Sequence, residues 1–405
     1  MVVTVLMLSP GFPDDLAYFT RGLAEVGARV LGVGDQGQLD PMVKAALSDY
    51  LHVKTLWDEP AMIAAVRGFL RGRKLDRIEC LWEPGMGVAA KLREAFGVPG
   101  LTPAQTVAFR DKQAMKEALD AAGIRTPHHY RGRTEAEVRT ALEKLGYPAI
   151  IKPIAGAGSA DTYRLDSQAD ADIALRKIKH VAEVSVEEFI EGEEFTYDTL
   201  CAKGDVLFEN VAWYRPKPLT CRLNPWISPQ AIALRDLSAE RPAAGVALGR
   251  RVLQALGFES GITHMEWFLK PDGEAVFGEI GGRAPGGRLS HVMNYSCDAD
   301  IFAGWAEAVC YGRLQRETRK KYNASVIFKR AEGDGRIQRI EGLQSLMARY
   351  GEHVAHIDLV PVGSPRRDYR QVVTGDGWIV VRHPDLDTTV RISDAFANDL
   401  RMFAG

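Results

Sequence analysis

The chain has 405 residues, which is long enough for about two to four domains with sizeable hydrophobic cores. Its charge is balanced, with 51 Lys and Arg residues against 53 Asp and Glu residues and a formal net charge of −2. This balance excludes the strongly basic surface that binding to nucleic acid or to an anionic membrane requires. The apolar runs are shorter than a membrane span, and the five widely spaced cysteines contain no C-x-x-C pair, so we expect a reduced, cytoplasmic protein.

Residues 1 to about 100 alternate between predicted strands and helices. The strands are predicted at Val2–Leu8, Arg29–Val33 and Arg77–Trp82, and the helices at Leu16–Val26, Met62–Leu70 and Val88–Ala95. Such alternation is typical of a small parallel sheet with helices on its faces. The first run is short and lacks a basic leader, which favours a strand over a signal peptide.

Two helices are predicted next, at Gln113–Ala122 and Thr134–Leu145. The first ends at Gly123, a residue type that commonly terminates helices. The second begins at a threonine with Glu137 three residues later, which is the pattern of a capping box. Both helices precede the most informative stretch of the chain.

In that stretch, the apolar run Ala149–Lys152 ends in a lysine and is followed directly by a loop of small residues. Pro153 ends the strand, and Gly156 and Gly158 allow backbone N–H groups to approach an anion closely. The lysine adds a positive charge at the end of a rigid strand. The combination favours a phosphate site, while an exposed lysine before an ordinary glycine-rich turn explains this stretch alone equally well.

The acidic segment Glu187–Glu194 connects two predicted strands. Backbone groups at the end of such a strand can form hydrogen bonds with the edge of a purine, and a following carboxylate can accept hydrogen bonds from ribose hydroxyls. An acidic turn between strands is also an ordinary feature of a protein surface. The chain has no Walker A lysine motif, which disfavours a P-loop NTPase.

A predicted hairpin further along the chain carries two glutamates, Glu266 and Glu279, equally far from the centre of its turn. In a regular antiparallel hairpin they face each other with Cβ atoms about 5 Å apart. Two opposed negative charges destabilise a sheet unless a cation lies between them, and Mg²⁺ takes one or two carboxylates beside water and phosphate ligands. The alternative is a bulge that turns one glutamate to solvent. His264 shares this face, and we expect it to pack.

The remaining elements complete an α/β and α+β pattern. Strands are predicted at Val184–Ile190, Phe195–Ala202 and Val206–Trp213, followed by an irregular exposed segment, Tyr214–Gln230. A helix at Ala243–Leu256, the hairpin strands Thr263–Leu269 and Ala275–Ile280 and a helix at Asp298–Tyr311 come next. Last come strands at Ser325–Lys329, His356–Val362, Tyr369–Val373 and Trp378–Val381, with a helix at Leu343–Tyr350.

Six motifs occur in an order that resembles the ATP-grasp superfamily: Arg110–Lys112, Ile151–Pro153, Gly156–Ser159, Glu187–Glu194, His264–Glu266 and Glu279–Arg283. The resemblance covers about residues 1–320. It implies an ATP-grasp fold with a Rossmann-like N-terminal pre-ATP-grasp domain over residues 1–108 and an ATP-grasp domain over residues 109–320, whose lid subdomain spans about 124–192. A small C-terminal α+β cap over residues 321–405 resembles the amino-acid ligase and biotin-carboxylase branches.

The resemblance also implies an ATP site. Its members are Lys112, Lys152, Gly156, Gly158, Ser159, Glu187, Glu188, Ile190 and Glu194. The two lysines would hold the phosphates beneath a lid formed by the glycine-rich loop. Glu187, Glu188 and Ile190 would lie along the adenine, and Glu194 would bind the ribose.

The metal and substrate residues follow from the same resemblance. Glu266 and Glu279 would bind Mg²⁺, with Mn²⁺ as a substitute, while Arg283 and Lys152 would be catalytic, the arginine by steadying the γ-phosphate or an acyl phosphate. Gly281 stands where the family usually has Asn, so the number of metal ions stays open. The candidates for binding substrate carboxylates are Arg215, Arg288 and His291, with solvated loop charges as the alternative.

The activity implied is that of an ATP-dependent carboxylate–amine ligase, which forms an amide or dipeptide-like bond through an acyl phosphate and releases ADP and phosphate. The segment Gly281–Gly287 most resembles L-amino-acid ligases. Two alternatives remain: a carboxylating ATP-grasp enzyme that uses bicarbonate as the acid, and a nucleotide-binding protein without turnover. The expected partners are small carboxylates and amines, without nucleic acid or membrane, and the resemblance leaves a homodimer open.

Overall fold

The computed structural model describes residues 2–154, 161–369, 372 and 374–405. The predicted phosphate-loop residues Gly156, Gly158 and Ser159 lie outside the described residues, and the predicted strand Tyr369–Val373 lies partly outside them. None of the described helices has the length and apolar character of a membrane span.

Strands and helices are interspersed along the described part of the chain. The strands are β1 Thr4–Leu8, β2 Arg29–Gly34, β3 Asp49–His52, β4 Arg77–Glu79, β5 His129–Gly132, β6 Ala149–Pro153, β7 Tyr163–Leu165, β8 Val184–Glu188, β9 Glu193–Ala202, β10 Asp205–Arg215, β11 Gln230–Ala233, β12 Gly261–Leu269, β13 Ala275–Gly281, β14 Asn323–Lys329, β15 Ile337–Glu341, β16 Val354–Leu359, β17 Gly377–His383 and β18 Arg401–Ala404. The helices are α1 Leu16–Glu25, α2 Pro41–Ala46, α3 Glu59–Leu70, α4 Met86–Phe96, α5 Pro103–Ala108, α6 Lys112–Ala121, α7 Glu135–Leu145, α8 Gln168–Lys177, α9 Pro218–Leu223, α10 Glu240–Ala255, α11 Leu289–Cys297, α12 Ile301–Tyr311, α13 Leu343–Tyr350 and α14 Leu386–Asp399.

The N-terminal part is a parallel sheet with strand order β3-β2-β1-β4, as the alternating pattern predicted. All five side chains of β1 are buried, because helices cover both faces of a parallel sheet. The carboxyl ends of β1 and β4 meet at one edge of this sheet, where ligands of open parallel sheets commonly bind.

A second sheet is antiparallel, with strand order β5-β8-β6-β7. It carries Lys152 on β6, and β8 places Glu187 beside it. Helix α7 begins with the predicted capping box, in which Thr134 and Glu137 satisfy each other's backbone N–H groups.

The largest sheet has the order β13-β12-β9-β10-β11-β14-β17-β16. The strands β14, β17 and β16, which come from the predicted C-terminal cap, extend the same sheet as the hairpin of β12 and β13. The domain boundaries at residues 108 and 320 stay predictions, since continuous strand pairing crosses the second of them.

Helix α10 packs against the hairpin from behind. At Gly245 an added Cβ would lie 2.1 Å from the Trp267 ring, and at Gly249 it would lie 2.1 Å from the Tyr197 ring. These glycines let the helix approach the sheet closely, and both aromatic side chains are fully buried. One face of the hairpin is therefore buried in the core, and the other face is available to bind ligands.

Several elements differ from the sequence prediction. The segment Tyr214–Gln230, predicted to be irregular, continues β10 to Arg215 and contains the short helix α9, with Pro218 at its first position. The single helix predicted at Asp298–Tyr311 is preceded by a separate one, α11. Helix α11 follows a glycine-rich segment that obscures the helical pattern of its apolar residues. Arg288, directly before α11, has the left-handed backbone conformation.

Candidate active site

Glu266 on β12 lies directly opposite Glu279 on β13, as predicted. The reason differs from the regular hairpin assumed from the sequence. Leu269 pairs with Ala275, so the turn is centred on Asp272, and in that register Glu266 would face Gly278. A one-residue bulge at Gly278 shifts the register and brings the two glutamates together.

Lysines from two other elements approach these glutamates. Lys112 is the first residue of α6, and its Nζ lies 3.3 Å from Oε2 of Glu279. The helix begins there because the Asp111 side chain accepts hydrogen bonds from the backbone N–H groups of Gln113 and Ala114, two and three residues further on. The structure therefore places a buried ammonium group beside the second carboxylate.

Glu187 holds two further lysines in the interior. Its Oε1 accepts a 2.6 Å hydrogen bond from Nζ of Lys116, and its Oε2 lies 3.0 Å from Nζ of Lys152. The Ser185 hydroxyl donates to the same carboxylate at 2.7 Å. The Glu187 side chain is thus occupied by protein donors, and its place along the adenine stays a prediction.

The charges of this cluster stabilise one another. Burial alone would raise the pKa of Glu187, but Lys116 and Lys152 outweigh it and hold this pKa far below its usual range. Burial lowers the pKa of Lys116 to about 8 against the opposing effect of Glu187. Burial also acts on Lys152, yet Glu187 and Glu279 raise its pKa above the usual value. Lys152 is therefore an ammonium ion at neutral pH.

A chain of buried polar groups leads to the first carboxylate. Nδ1 of His264 is 2.6 Å from Oδ1 of Asp198, and Nε2 of His264 is 3.6 Å from Oε1 of Glu266. On the far side, Asn210 donates to Asp198 at 2.9 Å and accepts a hydrogen bond from Lys320. His264 is buried, as expected, and its ring also links Asp198 to Glu266.

Glu194 on β9 belongs to the same electrostatic unit. Burial, followed by the charge of Glu266, raises its pKa to about 8. The pKa of Tyr214 is raised by burial and then by Glu266 and Asp198. The surplus of negative charge around Glu266 favours a cation at this place.

Arg283 follows β13 and contacts the N-terminal domain. Its Nε lies 3.2 Å from Oε2 of Glu83, and its Nη1 donates to the carbonyl of Ala284 at 2.9 Å. A cavity is lined by both partners together with Lys112, His264 and Glu279. Arg283 thus lies at the boundary between the carboxylate pair and the parallel sheet.

Arg288 and His291 meet a second carboxylate of the N-terminal domain. Arg288 forms an ion pair with Asp15, and Nε2 of His291 lies 3.4 Å from Oδ1 of Asp15. Between them in sequence, Ser290 is fully buried, and its hydroxyl has no hydrogen-bond partner among the described residues. The geometry brings these two predicted substrate residues together.

Arg215 is placed elsewhere. Its guanidinium is 2.9 Å from Oδ1 of Asp394 and lies 4.9 Å from the ring centre of Trp213, on the face of β10 opposite Tyr214. Tyr214, on the other face of β10, is the residue directed toward the site carboxylates. The contacts of Arg215 therefore do not support the predicted substrate role.

The remaining adenine residues lie on or just after β8. The Glu188 carboxylate accepts hydrogen bonds from Arg125 at 2.9 and 3.0 Å, and its backbone N–H donates to the carbonyl of His128 at 2.8 Å. Ile190 is buried. Because the N–H group of Glu188 is already bonded to His128, a backbone contact from Glu188 to adenine would use its carbonyl group.

Sequence reasoning missed several residues of this site. Asp15 and Glu83 follow the carboxyl ends of β1 and β4, a position that could have marked them as ligand contacts. Lys116 lies one helical turn after Lys112 and therefore on the same face. Asp198 is the one charged residue in its predicted strand, Phe195–Ala202, which is itself a signal of a buried partner.

Comparisons with known proteins identify relatives of this chain. The family model described as an ATP-grasp domain matches residues 109–212. The chain is 25% identical over 299 residues to the L-arginine-specific L-amino acid ligase of Bacillus subtilis, covering 72% of this chain and 71% of that protein.

Two solved structures resemble the whole chain. The L-amino acid ligase from Bacillus licheniformis superimposes with a TM-score of 0.80 at 22% identity, covering 100% of this chain and 99% of the other. The N5-carboxyaminoimidazole ribonucleotide synthetase from Thermotoga maritima gives 0.73 at 17% identity, covering 100% of both chains. These likenesses confirm the predicted fold.

Proposed function

The chain belongs to the ATP-grasp superfamily, and we propose that it is an ADP-forming ligase that joins a carboxylate to an amine. Amino acids are the reactants that the similarity to the L-arginine-specific L-amino acid ligase supports. One observation carries the proposal: Glu266 faces Glu279 across a hairpin, and Lys112 lies 3.3 Å from Glu279. This arrangement can hold a metal ion and phosphate oxygens together.

The reaction needs activation because a carboxylate is a poor electrophile. In the first step, an oxygen of the carboxylate attacks the γ-phosphorus of ATP, and the bond from that phosphorus to the ADP oxygen breaks. In the second, the amine nitrogen attacks the acyl carbon, loses a proton, and displaces phosphate. Both steps depend on positioning and on neutralising the phosphate charge.

The chain's own residues can supply that neutralisation. Lys152, kept charged by Glu187, would hold the phosphates together with Lys112. Arg283 would bind the transferred phosphoryl group with its planar, multiply donating guanidinium. Its contact with Glu83 would keep it oriented toward the cavity while the nucleotide is absent.

The donor set also fits a magnesium ion. Glu266 and Glu279 supply carboxylate oxygens on facing strands, and Mg²⁺ takes only one or two such ligands beside water and phosphate. The described residues contain no cluster of three or more His, Cys, Asp or Glu side chains suited to a metal. When bound, the ion would offset charge on the phosphates. Mn²⁺ has the same preference for oxygen ligands.

Arg288, His291 and Ser290 would bind the carboxylate of one reactant. Ser290 and His291 lie at the start of α11, whose N-terminal N–H groups favour an anion, and the buried Ser290 hydroxyl can donate to it. Asp15 would then orient Arg288 and balance its charge.

The carboxylating alternative rests on the likeness to the N5-carboxyaminoimidazole ribonucleotide synthetase. It predicts turnover with bicarbonate in place of an organic acid. A binder without turnover would bind ATP and release no phosphate with any substrate.

The test is phosphate release from ATP and Mg²⁺ over pairs of amino acids, with bicarbonate as a separate arm. Release that needs two amino acids, and is strongly reduced in Glu279→Gln at the same Mg²⁺ concentration, supports the ligase. Release with bicarbonate and an amine alone would establish the carboxylating reaction instead.

The proposal includes a cytoplasmic location and leaves the oligomeric state to be measured. The five cysteines are all without disulfides, which suits a reducing, cytoplasmic setting. A homodimer remains an option, and sedimentation of the purified chain would decide it.

A further inference from the structure

Three aromatic side chains of the N-terminal domain form a cluster beside the candidate site. The Phe12 ring meets the Trp82 ring edge-on with centroids 5.4 Å apart, and the Trp57 ring lies 5.5 Å from Trp82 at a tilt of 49°. Trp82 therefore forms the centre of the cluster, with the other two rings at its sides. We call these three residues the aromatic shelf.

Two ion pairs fix the shelf against the segment that follows β13. Glu83, the residue next to Trp82, binds Arg283, and Asp15, three residues after Phe12, binds Arg288. Neighbours of the shelf in sequence thus bind the two arginines between which the glycine-rich segment runs, which places the shelf near Arg283 and Arg288.

The shelf is unusually exposed for its composition. Trp57 has 53% of its surface accessible and Phe12 has 44%, whereas Trp82 is half-buried and packs on the N-terminal cores. Exposed aromatic surface costs free energy in water, and an apolar patch of this kind beside a polar site commonly marks a ligand contact. A planar ring is the group that stacks best on such a surface.

On the basis of the proposed ligase function, we propose that the aromatic shelf holds the side chain of one reactant, and that this reactant is an amino acid with an aromatic ring. Its ring stacks on Trp57 and Phe12, while its charged end reaches toward Arg283 or Arg288. The shelf adjoins Glu83 and Asp15, whose arginine partners belong to the candidate site. Its occupant is therefore a substrate of that site and not a partner protein. The same shelf serves an aromatic amino acid supplied as the acid or as the amine.

Calorimetric titration with L-phenylalanine and L-alanine, in the presence of ADP and Mg²⁺, tests the shelf without turnover. We expect L-phenylalanine to bind about five- to tenfold more tightly than L-alanine, the range of one aromatic contact. Trp57→Ala should reduce this ratio to about one, and Trp57→Phe should largely restore it. Since Trp57 is half exposed, its replacement should leave the fold intact.

Tyr130→Ala is the matched control. Tyr130 has a similar exposure of 36% but lies on β5, at the edge of another sheet, and should leave the ratio unchanged. Equal binding of the two amino acids to the unmodified chain, or an unchanged ratio in Trp57→Ala, would overturn the shelf. The residue order of the dipeptide formed, read by mass spectrometry, identifies whether the aromatic amino acid was the acid or the amine. Tight L-phenylalanine binding without release from any pair would contradict the ligase and support the shelf.

Discussion

Glu266 lies directly opposite Glu279 on adjacent antiparallel strands, and the bulge at Gly278 produces this register. Without the bulge, Glu266 would face Gly278. A bulge next to an active site commonly redirects a side chain in this manner. The position is occupied by glycine for a steric reason, since an added Cβ would lie 2.8 Å from the carbonyl oxygen of Glu266.

We therefore expect Gly278→Ala to disturb the metal site directly. The new methyl group would push the Glu266 backbone away, and the resulting mismatch should lower phosphate release at least about tenfold, since a misplacement of about 1 Å costs that much or more. The measurement is the initial rate at saturating ATP. Gly68→Ala, within α3 and with no atom within 4 Å of its added Cβ, is the control and should keep full activity.

Replacing a metal ligand should change the dependence on Mg²⁺ specifically. Glu279→Gln keeps the size of the side chain but removes its charge, so we expect the Mg²⁺ concentration for half-maximal activity to rise by about one to two orders of magnitude. Glu274→Gln, in the exposed turn of the same hairpin, should behave as the unmodified chain. An unchanged Mg²⁺ requirement in Glu279→Gln would show that the ion binds elsewhere.

The buried cluster around Glu187 should contribute strongly to stability. Glu187→Gln leaves Lys116 and Lys152 close together without their shared counter-charge, and the free energy of unfolding should fall by about 3 kcal/mol or more. Urea unfolding measures this change. The neighbouring Glu188 pairs with Arg125 at a half-exposed position, so Glu188→Gln should cost less than about 1 kcal/mol. An equal loss of unfolding free energy in both variants would contradict the view that Glu187 is the shared counter-charge of two buried lysines.

The pKa of Glu194 predicts how stability depends on pH. Burial and then Glu266 raise this pKa from an ordinary 4.5 to about 8. Between these values the folded chain keeps a proton that the unfolded chain has released, so the group's contribution to stability is full below pH 4.5 and is lost as the pH rises through 8. Glu194→Gln removes this titration.

Urea unfolding of the metal-free protein at about pH 5 and about pH 8.5 tests this sign, because the window in which the two states differ lies between these values. Relative to the unmodified chain, Glu194→Gln should gain stability at the higher pH. Glu193→Gln, one residue earlier and paired with Arg241, is the control and should show no such gain. The same difference at both pH values would show that Glu194 is ionised throughout.

The sequence predicted the pairing of the two hairpin glutamates but not the side chains that contact them. Glu266 and Glu279 could be selected because they lie equally far from a predicted turn, and Lys152 because it ends a predicted strand. Lys112 was implied only by the resemblance to the ATP-grasp superfamily. Their partners could not be selected, because Asp198 and His264 meet only when β9 and β12 pair. Pairing between strands that are distant in sequence leaves little trace in local composition.

The fold shows the same division. Alternating periodicity predicted the N-terminal parallel sheet and the hairpin, both of which depend on local pattern. It did not reveal that β14 and β17 extend the sheet of the hairpin, because that depends on the edge offered by β11. The substrate role of Arg215 lost support for a related reason: on a strand, a shift by one residue exchanges the two faces.

The most direct test of the proposed ligase follows oxygen atoms. An amino acid labelled with ¹⁸O in both oxygens of its carboxylate is incubated with ATP, Mg²⁺ and an unlabelled amine, and the released phosphate is analysed by mass spectrometry. An acyl phosphate transfers one carboxylate oxygen to phosphorus, and the amine then breaks the bond between that oxygen and carbon. We expect one ¹⁸O atom in each phosphate released. Unlabelled phosphate, formed at the same rate as the dipeptide, would contradict the acyl-phosphate route.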